Sequence, residues 1–382
     1  MTIARAVVTV APRRLEVREF PLAEPEPGAV VLRMRLSGIC GTDKHTYRGE
    51  SKQYAGTDHE RDLEYPLICG HENVGIVAAT GGEVRDSDGR VLLEGDRVVP
   101  GANVPCGNCW YCRNDQAYYL CRDLDDYGNS LNCKAPPFLF GGWADYLYLK
   151  PGSRIFRVPD ELPDEVAVLT EVMAVTHGVE KALAVLGLYN AEPVGFSVAV
   201  LGVGPLGLMH LVKARTLGAG TVIATDLLAG RLQKAAAFGV DVSLDASTTD
   251  DRQRLEAVLA ATDGRGVDIA IDASGVPSTF TEGLAMVRPG GVLVEAGTFV
   301  DMGPVAINPN SAICTRNIAV LGIGGEMATA YGPSMRLMAA NLDRYPLTGI
   351  VTHRFGFGQA DAAIAMAQSG ESMQVAFDPG LS

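Results

Sequence analysis

The chain has 382 residues, of which 47% are hydrophobic, so it can bury a large core and is predicted to form two domains rather than a small stapled module. Its formal net charge of −13 disfavours a nucleic-acid partner, and no local basic patch offsets that charge. No apolar run approaches the roughly 20 residues needed to cross a bilayer, and the N-terminus lacks the features of a secretory signal. We therefore expect a cytoplasmic protein that binds neither nucleic acid nor membrane.

The first third of the chain contains short β-branched or alternating segments separated by glycine and proline. This pattern predicts strands, and hence a β-rich domain. The predicted strands cover residues 4–10, 30–37, 74–79 and 97–99.

From about residue 165 the pattern changes to apolar strands that alternate with Ala- and Leu-rich helical segments. Such alternation is typical of successive βαβ units around a parallel sheet, and it predicts an α/β nucleotide-binding domain. The predicted strands cover residues 197–201, 221–225, 267–272, 291–295 and 318–321. After residue 325 we predict a helix over 334–341, a strand over 351–355 and a helix over 360–369, and we expect this tail to rejoin the first domain.

A glycine-rich loop follows the predicted strand 197–201. Gly202, Gly204 and Gly207 have the spacing G-x-G-x-x-G, and a helical segment comes directly after them. This context predicts a dinucleotide site, because the glycines allow a tight turn, a close approach of the pyrophosphate, and close packing of helix on strand. Pro205 and Leu206 belong to the same predicted site, with the diphosphate at the helix N-terminus.

Asp226 lies about twenty residues beyond the loop, where a carboxylate can accept hydrogen bonds from the ribose hydroxyls. Its charge would repel a 2′-phosphate, so the sequence favours NAD over NADP as the cofactor. Arg231 is near enough in sequence to weaken that preference if its side chain turns inward.

Four cysteines cluster between residues 106 and 121. Cys106, Cys109, Cys112 and Cys121 can close around one tetrahedral Zn²⁺, and a closed site of this kind has no open position for substrate. We therefore predict a structural zinc. Cys133 is an alternative to Cys121 with a longer separation.

Two other interpretations of this cluster are a set of metal-free thiols and a nucleic-acid-binding zinc knuckle. The acidic surroundings argue against the knuckle, because they outnumber Arg113 and Arg122. The acidic residues are Asp115, Asp123, Asp125 and Asp126. Cys69 and Cys314 are predicted to be buried apolar thiols.

Outside the cluster, Cys40 and His71 each lie in a glycine-bounded turn. A thiolate and an imidazole leave a zinc ion short of ligands, and a carboxylate with a water molecule would complete the open tetrahedron that catalysis requires. Glu72 and Glu171 are the candidates for that carboxylate. A buried thiol and a core histidine are the alternative reading of Cys40 and His71.

The segments Cys-Gly-Thr-Asp at 40–43, Gly-His-Glu at 70–72 and Glu-Val-Met-Ala-Val at 171–175 resemble the zinc-ligand motifs of the zinc-containing medium-chain dehydrogenases, which include alcohol, sorbitol, glucose and threonine dehydrogenases. The resemblance spans nearly the whole chain. It implies a GroES-like β-rich catalytic domain over residues 1–170 and 325–382, and a Rossmann doubly wound parallel-sheet domain over 171–324. It also implies one catalytic and one structural Zn²⁺ per chain, and a dimer or tetramer.

The resemblance also implies roles for individual residues. Cys40 and His71 would bind the catalytic zinc, with Glu72 beside them and Glu171 at the variable third position, where polyol-like members have a glutamate. Thr42 would contact the substrate hydroxyl, Asp43 would orient His71, and His45 would pass the alcohol proton to solvent. Residues 50–64 form a longer segment than is typical, which could cover the substrate mouth.

The activity expected from these residues is hydride transfer between a secondary alcohol or polyol and NAD, giving a ketone or aldehyde. Three alternatives remain. One is an NADP-dependent carbonyl reductase or sugar dehydrogenase of the same fold, and another is a zinc-free reductase that would not need Cys40 or His71. The third is a non-catalytic NAD-binding protein.

Overall fold

The protein is described from a computed structural model, which covers residues 2–114, 118–188 and 194–381; Asp115, which counted toward the acidic surroundings of the cysteine cluster, lies outside this range. The chain divides into two compact units, Met1–Ala174 with Met327–Ser382, and Val175–Glu326. The first boundary lies beyond the predicted one because a helix, Thr170–Val175, runs through it. Glu171 therefore belongs to the first unit rather than to the second.

The strands of the first unit are β1 Ile3–Ala11, β2 Arg14–Pro21, β3 Val30–Gly38, β4 Lys52–Gln53, β5 Arg61–Asp62, β6 Leu67–Ile68, β7 Asn73–Thr80, β8 Arg97–Pro100, β9 Asn103–Val104, β10 Asp125–Asp126, β11 Tyr146–Leu149, β12 Ile155–Arg157, β19 Val351–Phe355 and β20 Gln374–Phe377. The unit is built on a seven-stranded sheet with the order β12-β8-β7-β3-β20-β19, in which β11 also pairs with β3. A three-stranded sheet, β2-β1-β6, and the pairs β4-β5 and β9-β10 accompany it.

The central strand β3 carries apolar side chains on both faces, and seven of its nine residues are buried. Its partners include β20, which is the last strand of the chain, so the C-terminal tail completes the first unit as predicted. The helices of this unit are α1 Gly41–Arg48, α2 Trp110–Arg113, α3 Asp164–Ala167, α4 Thr170–Val175, α11 Tyr331–Ala339 and α12 Ala360–Ser369.

The second unit is a six-stranded parallel sheet with the order β15-β14-β13-β16-β17-β18. This order reverses between β13 and β16, and dinucleotides bind at such a switch point, beyond the carboxyl ends of the strands. Its strands are β13 Ser197–Leu201, β14 Thr221–Asp226, β15 Val242–Asp245, β16 Val267–Asp272, β17 Val287–Glu295 and β18 Ala319–Gly322. Its helices are α5 Gly178–Gly187, α6 Pro205–Thr216, α7 Ala229–Ala236, α8 Asp251–Ala261, α9 Pro277–Met286 and α10 Pro309–Ala312.

Each predicted strand is present, with bounds that differ by a few residues at most. Short 3₁₀ helices complete the two units; they are Tyr118–Leu120, Cys314–Arg316, Ala328–Ala330, Leu347–Gly349, Phe357–Gln359 and Pro379–Leu381. Within the described part of the chain, no helix has both the length and the apolar character that a bilayer span would need.

Candidate functional site

Asp43 joins the two loops that carry the predicted zinc ligands Cys40 and His71. One of its carboxylate oxygens accepts a hydrogen bond from the backbone N–H of Cys40 at 2.8 Å, and the other accepts one from the backbone N–H of Gly70 at 3.2 Å. Asp43 is buried, with 1% of its surface exposed. The strands β3 and β7, which precede and follow these loops, are neighbours in the sheet, so the fold brings the loops together.

His71 lies against this carboxylate. Its Nδ1 is 3.7 Å from an Asp43 oxygen, which is ion-pair range but longer than a hydrogen bond. Asp43 therefore lies in ion-pair range of His71 without a direct hydrogen bond, and its orienting role stays a prediction. Burial would lower the pKa of His71, but the nearby Asp43, Cys40 and Glu171 raise it well above its usual value.

Glu72 is fully buried beside Cys40 and His71. Burial raises the pKa of Glu72 well above its usual range, and Cys40 and Asp43 raise it further, while His71 opposes them. A bound divalent cation would reverse these preferences, because it stabilises the ionised forms of thiol and carboxyl ligands. Cys40, His71, Glu72 and Asp43 thus form one electrostatically coupled group, which we call the Cys40 cluster, and Glu171 reaches its edge through its charge on His71.

Gln374 is a member of this site that sequence reasoning missed. Its side-chain amide donates a hydrogen bond to the Glu72 carboxylate, and both side chains are buried. Gln374 lies on β20, which pairs with β3 immediately before the Cys40 loop. A buried glutamine in an apolar strand is the only sequence signal, and it does not identify the partner.

Thr42 and His45 lie on α1, whose N-cap is Cys40. The Thr42 hydroxyl oxygen is 4.0 Å from the Cys40 sulfur. His45 Nδ1 is 2.7 Å from a Glu50 carboxylate oxygen. Burial lowers the pKa of His45, Glu50 opposes this, and Arg48 and Lys44 reinforce it.

The four predicted structural ligands Cys106, Cys109, Cys112 and Cys121 converge, with all four sulfur atoms within 4.8 Å of one another. Over residues 2–114, 118–188 and 194–381, this is the one group of potential ligands drawn that closely together. The potential ligands of the Cys40 cluster, with or without Glu171, do not form a group within that distance.

Backbone amides point at the sulfur atoms of the four-cysteine group. Cys121 Sγ accepts from the N–H of Cys106 at 3.3 Å and of Asp123 at 3.4 Å. Hydrogen bonds from the backbone at Cys112 and Arg122 lower the pKa of Cys109 to about 6, so this thiol ionises readily. Such amide donors stabilise thiolates, which are the form that zinc binds.

The remaining cysteines lie apart from the four-cysteine group. Cys133 is buried, and its thiol donates to the carbonyl of Pro66, so it is not the alternative to Cys121. Cys69 is buried as expected, against the hydroxyl of Thr9. The prediction for Cys314 was wrong: this thiol is exposed, because the chain turns there in the short 3₁₀ helix Cys314–Arg316 before entering β18.

The longer segment 50–64 folds as a small hairpin, in which β4 pairs with β5. It contacts the four-cysteine region: Tyr54 Oη accepts from the backbone N–H of Leu124 at 2.8 Å and donates to the carbonyl of Cys121 at 3.2 Å. The side-chain amide of Gln53 donates to the carbonyl of Leu124 at 3.2 Å and to an Asp126 carboxylate oxygen at 3.0 Å. Gln53 and Tyr54 of this segment therefore contact the predicted structural zinc lobe, whereas Glu50 contacts His45 and Arg48 of α1.

In the second unit, the glycine loop has the geometry that its spacing predicts. Gly202 has φ of +86°, and a Cβ there would lie 2.8 Å from Ser274 Cα. A Cβ on Gly207 would lie 2.0 Å from the carbonyl oxygen of Gly202, so helix α6 packs directly on the loop. Gly204 caps α6, and Pro205 and Leu206 form its first turn, which leaves the helix N-terminus open toward an anion.

Asp226 ends β14 beside this loop. Its carboxylate accepts hydrogen bonds from the backbone N–H of Val203 at 2.8 Å and of Leu228 at 2.9 Å. Arg231 does turn inward: its guanidinium is 3.9 Å from the Asp226 carboxylate, and a Cβ on Gly204 would lie 3.4 Å from it. A carboxylate, from Asp226, and a guanidinium, from Arg231, therefore both lie beside the glycine loop.

The other histidines have local partners. His210 is buried, and its Nδ1 bonds to the carbonyl of Leu206, four residues earlier. His177 bonds through Nε2 to the carbonyl of Gly325, and His353 lies beside Thr352. His59 is exposed.

Comparison with known proteins gives matches over the full length of the chain. Residues 26–160 match the family model described as alcohol dehydrogenase GroES-like domain, and residues 205–340 match the one described as zinc-binding dehydrogenase. The 5-exo-hydroxycamphor dehydrogenase of Pseudomonas putida is 30% identical, with 100% of both chains covered. The L-threonine 3-dehydrogenase of Deinococcus deserti is 31% identical over 93% of this chain and 92% of that protein.

Solved structures show the same likeness. An alcohol dehydrogenase from Thermotoga maritima superposes with a TM-score of 0.89 and 28% identity, covering 99% of this chain and 100% of that chain. A structure from Sinorhizobium meliloti with NADP bound has a TM-score of 0.83 and 26% identity, covering 99% of this chain and 100% of that chain. The fold is thus shared with proteins whose names are those of dehydrogenases.

Proposed function

Because the chain belongs to the zinc-binding medium-chain alcohol dehydrogenase family, we propose that it transfers a hydride between a secondary alcohol or polyol and NAD, giving the ketone or aldehyde. The observation that carries this proposal is the convergence of Cys40, His71 and Glu72, with Asp43 fastening both ligand loops. Cys40 and His71 are partly buried and Glu72 is buried, and a thiol, an imidazole and a carboxyl are the donor types of a catalytic zinc.

The residues present fit zinc on one further ground. His71 Nδ1 is buried with no hydrogen-bond partner and lies 3.7 Å from an Asp43 carboxylate oxygen, a carboxylate that would balance the charge of an ion bound at the other ring nitrogen. The second zinc would be held by the four-cysteine group. Cys40, His71 and either Glu72 or Glu171 would hold the catalytic ion, which supplies positive charge toward the substrate oxygen when bound.

This chain's own groups then have distinct tasks. Asp43 fixes the separation of Cys40 and His71, and Gln374 holds the Glu72 carboxylate in its buried position. The Thr42 hydroxyl accepts the alcohol proton, and His45 takes that proton at Nε2 and releases it to water. The electron pair leaves with the hydride for the nicotinamide of NAD, so charge and atoms balance across the reaction.

The substrate class is supported by the relatives' names. The hydroxyl of a hydroxycamphor and the 3-hydroxyl of L-threonine are both on secondary carbons. NAD is supported by Asp226, whose carboxylate disfavours a 2′-phosphate. Use of NADP is a second candidate, since Arg231 lies 3.9 Å from that carboxylate and a similar structure holds NADP.

The test measures metal content and activity together. We expect two zinc ions per chain, and NADH formation with secondary alcohols or polyols in a graded panel that also contains primary alcohols. The variant Cys40→Ser should lose one zinc and all turnover while still binding NADH, whereas the exposed Cys314→Ser serves as the matched control and should retain both. Turnover by a zinc-free enzyme, or no NADH formation across the panel, would overturn the proposal, and the second outcome would favour a non-catalytic NAD-binding protein.

A further inference from the structure

The end of α1 brings a glutamate back beside His45. Gly49 adopts φ of +79° at the C-cap of the helix, and the backbone N–H of Glu50 then bonds to the carbonyl of His45 at 3.0 Å. This turn places a Glu50 carboxylate oxygen 2.7 Å from His45 Nδ1. The contact is therefore built by the helix-ending turn.

Arg48 approaches the same two groups. Its Nε lies 2.9 Å from each of the two Glu50 carboxylate oxygens, and its terminal nitrogen lies 2.9 Å from His45 Nδ1. The three side chains are partly shielded, with exposed fractions of 23% for His45, 28% for Arg48 and 41% for Glu50. The three side chains therefore contact one another at the C-terminal end of α1.

Glu50 and Arg48 require different protonation states of His45 Nδ1. A carboxylate only accepts, so a bond to Glu50 requires a proton on Nδ1. A guanidinium only donates, so a bond to Arg48 requires Nδ1 to be unprotonated. In the neutral ring, the first case leaves Nε2 as the acceptor, and the second case places the proton on Nε2.

We propose that Glu50 is a positioning residue that fixes neutral His45 with its proton on Nδ1, so that Nε2 is available to accept a proton. Within the described residues, Nε2 has no hydrogen-bond partner of its own. When Nε2 takes up a proton, the ring becomes a cation that donates from Nδ1 to Glu50, and Arg48 can then bond only to Glu50. The part of this inference that concerns proton transfer from the alcohol rests on the proposed function, whereas the tautomer of His45 does not.

The charged groups that face His45 are Glu50, Arg48 and Lys44. Glu50 favours the cationic ring, and Arg48 and Lys44 oppose it, as does burial of the ring. Removal of the Glu50 charge therefore lowers the pKa of His45.

The test reads the tautomer directly by ¹⁵N NMR of the histidine rings in the full-length zinc-loaded enzyme without substrate. The signals of His45 are identified among the six histidines by their loss in His45→Asn. The expected result is a proton on Nδ1 in the wild type, a shift to Nε2 in Glu50→Ala because Arg48 then bonds to Nδ1, and retention on Nδ1 in Glu50→Gln, which keeps an acceptor. Glu60→Ala is the matched control, because Glu60 lies in the same hairpin and pairs with Lys52.

A proton on Nε2 in the wild type, or no change in Glu50→Ala, would overturn the proposal. The kinetic readout is the acid limb of the pH profile of kcat. This limb should move to lower pH in Glu50→Gln with KM unchanged, and kcat near neutral pH should fall about 3- to 10-fold in Glu50→Ala. If His45→Asn leaves kcat unchanged at every pH, proton transfer through His45 is ruled out, even if the NMR result confirms the tautomer. The kinetic test of the proposed function and the NMR test of the tautomer can therefore fail separately.

Discussion

The side-chain amide of Gln374 donates a hydrogen bond to the carboxylate of Glu72, although 302 positions separate the two residues in the chain. Both are buried, at 3% and 1% exposure, so water does not replace the bond when it is lost. This contact ties the last strand of the chain to the candidate catalytic metal site.

Replacement of Gln374 by leucine should therefore weaken that site. The Glu72 carboxylate would lose its donor in a buried position, a change that costs about 1–3 kcal/mol of stability. We expect a lower midpoint of unfolding and faster loss of one zinc equivalent to a chelator. Gln368→Leu is the control, because Gln368 is exposed on α12 in the same unit. Equal zinc retention in both variants would show that Gln374 does not support the metal site.

The four-cysteine group gives a second prediction, about metal count. Cys109→Ser should lower the zinc content from two to one per chain and reduce thermal stability, since a structural zinc contributes directly to folding. NADH binding should persist, because the glycine loop lies in the other unit. The exposed Cys314→Ser provides the matched control. Two zinc ions retained in Cys109→Ser would rule out this group as a zinc site.

The Tyr54 contacts lead to a third prediction, for the hairpin 50–64. Tyr54→Phe removes a hydroxyl that both accepts from Leu124 N–H and donates to the Cys121 carbonyl. Amide hydrogen exchange in the hairpin should increase, and chelators should remove zinc from the four-cysteine group faster. Tyr47→Phe serves for comparison, since it removes a single exposed hydrogen bond to Arg13. If Tyr54→Phe and Tyr47→Phe have the same amide exchange rates in the hairpin and lose zinc at the same rate, the hairpin does not stabilise the four-cysteine group.

Local sequence patterns were sufficient for the predicted strands and for the dinucleotide loop, whereas β2, β11, β12, β20 and the two-residue strands of the first unit were not predicted. An apolar strand, three glycines at fixed spacing and a following helix describe a contiguous segment, so its geometry is encoded within about twenty residues. The four-cysteine group is similarly local. The strand β15 was missed because Val242–Asp245 is short and only partly buried.

Contacts between distant segments could not be read in the same way. The Gln374 bond to Glu72 depends on the pairing of β20 with β3, and the Tyr54 contacts depend on where a long loop folds back. The exposure of Cys314 likewise follows from a turn that hydrophobic periodicity does not describe. Tertiary placement, rather than residue type, determines each of these features.

Cofactor choice gives a fourth prediction, at the edge of the glycine loop. Asp226→Ala should raise KM for NAD and reduce the preference for NAD over NADP by about 10- to 100-fold, because it removes a charge that repels a 2′-phosphate. Arg231→Ala should lower the remaining NADP activity more than the NAD activity, since its guanidinium would attract that phosphate. The measurement is kcat/KM for both cofactors. An unchanged ratio in Asp226→Ala would exclude this residue as the determinant.

Asp272 gives a prediction for pH dependence. Burial, together with the neighbouring Glu295, its register partner across β16 and β17, raises the pKa of Asp272 to about 6, although hydrogen bonds from Thr279 and Ser274 oppose the shift. The ordinary pKa of this carboxyl is 3.8. Between these two values the folded protein binds more protons than the unfolded chain, so this group's stabilisation is present below about pH 4 and is lost as pH rises through about 6.

The free energy of unfolding should therefore fall with rising pH over this window by about 2–3 kcal/mol from Asp272 alone. Asp272→Asn removes the titration, so the difference in unfolding free energy between wild type and variant should change by that amount between pH 4.5 and 7. Urea unfolding followed by circular dichroism measures it, and the contributions of groups that do not interact with Asp272 cancel because those groups titrate in both proteins. Asp343→Asn, at an exposed position, is the control. Parallel pH curves for wild type and Asp272→Asn would mean that the Asp272 carboxyl stays ionised in the folded protein throughout this range.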